Sequence, residues 1–235
     1  MAELDYDEVR GVATNKGLIN ENEGWRIGNL ERLGLTLKKL EGKKILDVAI
    51  GGGNSIKEGV QLGLDIYGVD IIPALSLENK NEDEKLMIER RQRQLRSLAS
   101  TTENRILAVD AGEALPFPDD YFDVSMSGHG LPGYARNPTE AVTSILEMIR
   151  VTKEEVVFNA NWDEKGLAEL GSGKFEFSFP MLRFVEELME YGITSFTTRP
   201  EENGLKGPQA VHLDLANKDG QALKRSVATI NTMFR

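Results

Sequence analysis

The sequence predicts a doubly wound α/β fold: a seven-stranded, mostly parallel sheet with helices on both faces and an antiparallel C-terminal hairpin strand. Three observations lead there. Short β-rich apolar runs alternate with segments of helical spacing. The first run ends in Gly51, Gly52 and Gly53, which turn strand into helix. The chain then closes on two alternating runs joined by a turn-rich connection. Right-handed crossovers between such strands build an open sheet whose ligands lie at the carboxyl ends of the strands.

KKILDVAI (Lys43 to Ile50) is the first strand, and IKEGVQLG after the glycines has helical spacing with Gly63 as a stop. DIYGVDII (Asp65 to Ile72), RILAVDA (Arg105 to Ala111) and YFDVSMSG (Tyr121 to Gly128) are the second, third and fourth strands, with helical patterns expected between them. PTEAVTSILEMIR (Pro138 to Arg150) places Ala141, Ile145, Met148 and Ile149 on one face, with Pro138 near the helix start. EEVVFNANW follows as a fifth strand, and PMLRFVEELMEYGI (Pro180 to Ile193) is a further amphipathic helix. TSFTTRP and AVHLDLA, joined by ENGLKGP, form the terminal hairpin, where alternation with Val211, Leu213 and Leu215 is expected to turn His212 outward with Asp214. Residues 1–42 precede the first strand and are expected to form an N-terminal helical cap on a domain spanning 43–235. About residues 75–99, including LENKNEDEKLMIERRQRQLRSLA, a charged helical insertion would run roughly 35 Å if unbroken, longer than a crossover requires.

A chain of 235 residues suits one α/β domain with additions. Its 40% hydrophobic and 28% charged residues are those of a folding chain and not of a disordered one. A formal net charge of -10 argues against a general nucleic-acid or anionic-membrane surface. The absence of cysteine excludes disulfides, thiolate metal sites and cysteine nucleophiles, and no His or carboxylate spacing suggests a metal. The acidic MAELDYDE start carries no leader pattern and no run approaches about 18 apolar residues, so a cytoplasmic location without membrane partners is expected.

A dinucleotide fingerprint needs a third glycine, and here the pattern fails at Ile56, Asn54 or Lys57 whichever start is taken. A GxxxxGK[ST] phosphate loop is absent as well. What the loop offers is Asp47 inside the strand followed by small residues at alternate positions, Ala49, Gly51 and Gly53. Asp70 ends the second strand, where a carboxylate can accept from two vicinal ribose hydroxyls. Further along stands VDAGEALPFPDDYFDV (Val109 to Val124).

These three sites together resemble the class I S-adenosylmethionine-dependent methyltransferases, small-molecule enzymes of the type 11 kind. Asp47-x-Ala49-x-Gly51-x-Gly53 is similar to their motif I. Asp110, Ala111, Leu115, Pro116, Phe117, Asp120 and Asp123 match their D-A-x-x-L-P-F-x-D-x-x-F-D run, allowing one residue of loop-length variation. The likeness continues through HGLPGYARNPTEAVTSILEMIRVTKEEVVF. It implies a Rossmann-like sheet and S-adenosylmethionine as cofactor. The loop with Asp47, Ala49, Ile50, Gly51 and Gly53 would lie against its methionine and ribose portions, with Asp70 and Ile71 at the ribose. Asp110 would accept from the adenine amino group, the Ala111 N–H would meet a ring nitrogen, and Ser127 completes the set. Ala49 departs from the family glycine, and Lys153, Glu154 and Glu155 stand where the family has a Pro-Gly-Gly turn.

A sulfonium methyl is already activated, so such an enzyme mainly holds an acceptor in line and excludes water. His129, past the fourth strand, is either a general base or a packing residue. Trp25 either stacks on substrate or plugs the helical cap, and Tyr134, Asn161 and Trp162 are candidates for the substrate pocket. Arg90, Arg91, Arg93 and Arg96 mix with acidic neighbours and read as a solvated helix face. The reading is methyl transfer to oxygen, nitrogen or carbon of a small-molecule acceptor, with no nucleic-acid partner and a homodimer compatible with the chain. The alternatives are a non-catalytic cofactor-binding regulatory or scaffold protein, and an RNA or protein methyltransferase. SGHG replaces the N-P-P-Y type tetrapeptide of nucleic-acid amino-methyltransferases.

Overall fold

A computed structural model describes residues 30, 33–71, 77–78, 80–102, 105–128, 131, 135, 137–160, 181–198, 201–202, 205–206 and 209–233. The strand β1 (Lys44–Val48) is buried from its second residue onward, as a central strand must be. It pairs in parallel with β2 (Asp65–Asp70) on one side and β4 (Phe122–Ser127) on the other. Outward from these lie β3 (Ile106–Ala108) and β5 (Thr152–Ala160), also parallel. The last strand, β9 (Gln209–Asp214), runs antiparallel between β5 and β6 (Thr194–Thr198). The seven-stranded order is β3-β2-β1-β4-β5-β9-β6, so the chain reverses its winding between β1 and β4 and opens a crevice at their carboxyl ends. Between β6 and β9 a two-stranded hairpin, β7 (Glu201–Glu202) with β8 (Leu205–Lys206), occupies part of the turn-rich connection.

Alternation along β1 sends Ile45 to one face and Leu46 and Val48 to the other. On the first face α1 (Leu37–Leu40), α2 (Asn54–Gln61) and α3 (Glu82–Thr101) cover Ile45 and Ile66 with Leu40, Ile56 and Leu95. The opposite face carries α4 (Pro138–Val151), α5 (Met181–Met189) and α6 (Gly220–Met233), which pack Ile145, Phe184 and Leu223 onto Leu46 and Phe158. Gly68 of β2 allows α2 to come close, since a Cβ there would lie 2.8 Å from Ile56 and Ile50 side-chain atoms.

Four expectations change in detail. The charged stretch is the β2–β3 crossover itself. Its helix starts only at Glu82, because Asn81 accepts from the Glu84 N–H at 2.9 Å while the Glu84 carboxylate accepts from the Asn81 N–H at 3.0 Å. No helix separates β3 from β4: Pro116, Pro118 and Asp120, at φ 54, make residues 109–121 a chain of turns. Lys153, Glu154 and Glu155 are strand and not turn, since Thr152 goes extended directly after α4.

His212, expected to face solvent, is 1% exposed. Its strand is internal and both sheet faces are covered, so alternation separates two buried faces here and not inside from outside. The ring stacks on Phe196 at 4.4 Å, and Nδ1 lies 2.8 Å from Glu155 Oε1, which also takes Lys39 Nζ at 2.8 Å. Burial pushes the Glu155 carboxyl up, but the His212 and Lys39 hydrogen bonds outweigh it and hold it below the usual carboxylate range.

The long loop from β3 to β4 is held by Arg150 in the last turn of α4. Nε donates to Glu147 Oε1 at 2.9 Å, and Nη2 to Glu147 Oε2 at 2.7 Å and the Leu115 carbonyl at 2.9 Å. Nη1 donates to the Phe117 carbonyl at 2.8 Å and Asp119 Oδ1 at 2.9 Å, which uses the last of the guanidinium donors. Glu147 accepts in turn from the Leu115 N–H at 2.8 Å, and Asp120 donates its N–H to the Arg150 carbonyl at 3.0 Å. Arg150→Met strips this loop of its anchor and leaves the half-buried Glu147 without its cation, so chemical denaturation should show a loss of about 2–4 kcal/mol. A loss under about 0.5 kcal/mol would mean that the loop holds itself.

Candidate active site

Between the end of β1 and the start of α2 the chain must reverse within residues 49–53. It does so by placing Ala49, Gly51 and Gly53 in the left-handed region, at φ 60, 58 and 72. Glycine adopts that region freely, whereas Ala49 costs about 1–2 kcal/mol there. The Ala49 N–H donates to the Val69 carbonyl at 2.9 Å, which holds the strained residue against the end of β2. The glycines also lie close to side chains of α3 (Glu82–Thr101). A Cβ on Gly51 would stand 2.6 Å from Arg91 Nη1, one on Gly52 3.0 Å from Gln94 Nε2, and one on Gly53 2.9 Å from Leu95 Cδ2.

Two carboxylates converge on this loop. Asp70, at the end of β2, accepts the Gly51 N–H at 2.7 Å. Asp47, within β1, accepts from Ser55 Oγ at 2.5 Å. Burial pushes the Asp47 carboxyl up to about 7; the Ser55 hydrogen bond opposes the shift and the charge of Asp70 adds to it. Asp110 follows β3, with its Oδ1 accepting the Gly112 N–H at 2.8 Å in a tight turn, and Ala111 half-buried beside it. The Val109 N–H donates to the Asp70 carbonyl at 3.0 Å, which ties this turn to the end of β2.

A cleft of about 1300 Å³ opens over the loop, lined by Asp47, Ala49, Ile50, Gly51, Asp70 and Ile71, with Met126 and Gly128 from the end of β4. Asp110 is not among the lining residues, although it follows β3 at the same carboxyl edge of the sheet. Ser127, expected at the cofactor, is instead spent on the fold. It is fully buried, donating to the Val48 carbonyl at 2.9 Å and accepting the Leu131 N–H at 2.9 Å. His129, Trp25, Tyr134, Asn161 and Trp162 lie outside the described residues.

The N-terminal half of α3 forms a wall of the cleft through Asp83, Leu86, Met87, Arg90 and Arg91. Of the four arginines expected on a solvated helix face, Arg90, Arg93 and Arg96 are exposed and Arg91 is half-buried. The approach of Arg91 to Gly51 depends on how α3 is set against α2, which no local pattern encodes. Among the described residues there is no group of three or more His, Asp or Glu able to hold a metal, and no helix long and apolar enough to cross a membrane. The donor set fits an adenosyl sulfonium: carboxylates face a bare loop where a pyrophosphate would be repelled.

Folding raises Asp47 from 3.8 to about 7, so between these values the folded chain keeps a proton that the unfolded chain releases. Its contribution to stability therefore falls as pH rises from about 4 to about 7. In Asp47→Asn this loss is absent. Thermal melts should show the variant gaining on the wild type across that window and levelling off above about pH 8. A difference that does not vary with pH would contradict the assignment.

Residues 46–158 match the methyltransferase domain family. The demethylmenaquinone methyltransferase of Beutenbergia cavernae is 31% identical over 166 residues, 65% of this chain. The chain spans 57% of that relative's length. Among solved structures, the 1,6-didemethyltoxoflavin-N1-methyltransferase of Burkholderia thailandensis, with bound 1,6-didemethyltoxoflavin and S-adenosylhomocysteine, superposes with a TM-score of 0.55. Identity is 13%, over 92% of this chain and 91% of that one. The magnesium protoporphyrin IX methyltransferase of Synechocystis PCC 6803, with bound S-adenosylhomocysteine, gives 0.50 at 14% identity over 91% and 89%. At these identities the two structures speak for the fold. The matched segment runs from the middle of β1 into β5, across the glycine loop, Asp70 and Asp110, and over these residues the chain is similar to methyltransferase domains.

Proposed function

We propose that this protein is a class I S-adenosylmethionine-dependent methyltransferase that carries the methyl group of S-adenosylmethionine to an oxygen, nitrogen or carbon atom of a small-molecule acceptor. The single observation that carries the reading is the Asp70 carboxylate fixed on the Gly51 N–H at 2.7 Å, at the sheet edge that also presents Asp110. The cofactor supplies a methyl on a sulfonium, which is ready for displacement. The chain's own task is binding, orientation and exclusion of water. Asp70, with Ile71 beside it, accepts from the ribose hydroxyls, and Asp110 accepts from the adenine amino group while the Ala111 N–H meets a ring nitrogen. Asp47, Ala49, Ile50, Gly51 and Gly53 underlie the methionine portion.

Two features support a small acceptor. The related proteins are named for demethylmenaquinone and didemethyltoxoflavin substrates, and a net charge of -10 disfavours nucleic acid. Trp25, Tyr134, Asn161 and Trp162 are assigned to the acceptor pocket and His129 to proton removal. The same reading places the protein in the cytoplasm and is compatible with a homodimer.

Calorimetric titration with S-adenosylhomocysteine tests the site. Asp110→Asn keeps an acceptor for the Gly112 N–H but loses the carboxylate charge, and should bind about tenfold more weakly than the wild type. Unchanged affinity would remove Asp110 from the cofactor site. For the acceptor class, incubation of a metabolite extract with methyl-labelled cofactor should place label in the small-molecule fraction. Label recovered only in RNA or protein would contradict the small-molecule reading.

A further inference from the structure

The methionine portion of the cofactor ends in an α-carboxylate, its only anionic group, which needs a cation or several N–H donors once it leaves bulk water. The glycine loop itself has few donors left. The Ala49 N–H goes to the Val69 carbonyl at 2.9 Å, that of Gly51 to Asp70 at 2.7 Å, and that of Gly53 to the Ile50 carbonyl at 3.0 Å. The nearby Asp70 carboxylate repels an anion.

One cation lies directly against this loop. Arg91 extends from α3 so that Nη1 stands 2.6 Å from the point a Gly51 Cβ would occupy, and its side chain lines the same cleft as Asp47 and Asp70. It is half-buried and makes no hydrogen bond or ion pair with any described residue. Other arginines of the helix are used differently: Arg93 Nε turns back to the Glu89 carbonyl at 3.4 Å, Arg96 Nε turns back to the Gln92 carbonyl at 3.2 Å, and Arg90 is exposed.

We propose that Arg91 binds the methionine α-carboxylate of the cofactor and so selects the full amino-acid-bearing cofactor over truncated adenosyl thioethers. This rests on the cofactor reading of the site. A planar guanidinium matches a carboxylate with two parallel N–H bonds, and an arginine held at the lip of a cleft loses little solvation until the anion arrives. Gly51 lacks a side chain because its φ of 58 is left-handed, and the Arg91 guanidinium lies where a Cβ would stand.

The test compares two ligands that share the adenosyl thioether. S-adenosylhomocysteine carries the amino-acid end and 5′-methylthioadenosine lacks it. Both are titrated calorimetrically into wild type, Arg91→Gln and Arg91→Lys. The glutamine variant should bind S-adenosylhomocysteine about 10- to 100-fold more weakly while its affinity for 5′-methylthioadenosine stays within about threefold, and the lysine variant should recover part of the loss. Retention of the thioether shows that the cleft is intact. Equal weakening of both ligands, or no weakening of either, overturns the assignment of Arg91 and leaves the site standing. Failure of wild type to bind either ligand overturns the cofactor reading itself.

Discussion

The hydrogen bond from the Gly51 N–H to the Asp70 carboxylate, 2.7 Å long, is the contact on which the ligand edge depends. It joins the loop after β1 to the end of β2, and so fixes two of the surfaces that meet at the cleft. The loop can offer that N–H only because its backbone goes left-handed at residues 49, 51 and 53. The left-handed path needs glycine at two of these positions and strains alanine at the third. The backbone carbonyl of the same Asp70 receives the N–H of Val109, so the turn bearing Asp110 is registered against the same residue. Three successive strand ends are thereby set relative to one another by two short hydrogen bonds from backbone N–H groups to Asp70.

The run LPFPDDYFD carries the family likeness most specifically, yet most of its residues touch protein. The Leu115 and Phe117 carbonyls and the Asp119 carboxylate receive the Arg150 guanidinium, and Asp120 accepts Lys218 Nζ at 2.6 Å. Phe117 stacks with Tyr121 and meets Phe122 edge to face, which roots the loop in the core. A strongly patterned segment can mark a cofactor site by building the scaffold of one turn and not by contacting the ligand at each position. Only Asp110 and Ala111, ahead of that run, stand at the edge where an adenine would be read.

The mostly parallel seven-stranded sheet with helices on both faces, its antiparallel C-terminal strand and the glycine loop were legible because strand periodicity, helix stops and glycine-rich turns are local signals. Asp47, Asp70 and Asp110 were legible for the same reason, as each closes or occupies a strand. What escaped depends on contacts between distant segments. His212 is buried because β6 flanks its strand, Ser127 is spent because Val48 and Leu131 meet it, and Arg91 leaves solvent because α3 leans on the glycines. Asp47 combined both kinds of information: its place in the strand was readable, while its protonation near neutral pH follows from burial beside a second carboxylate.

The central claim is that the adenosyl group spans the ends of β1, β2 and β3, and a crystal structure with S-adenosylhomocysteine tests it most directly. The account predicts the ribose hydroxyls within hydrogen-bond distance of the Asp70 carboxylate, about 2.6–3.0 Å, with the adenine amino group at Asp110. An adenosyl group bound elsewhere, or one that leaves Asp70 and Asp110 without ligand contact, would contradict it.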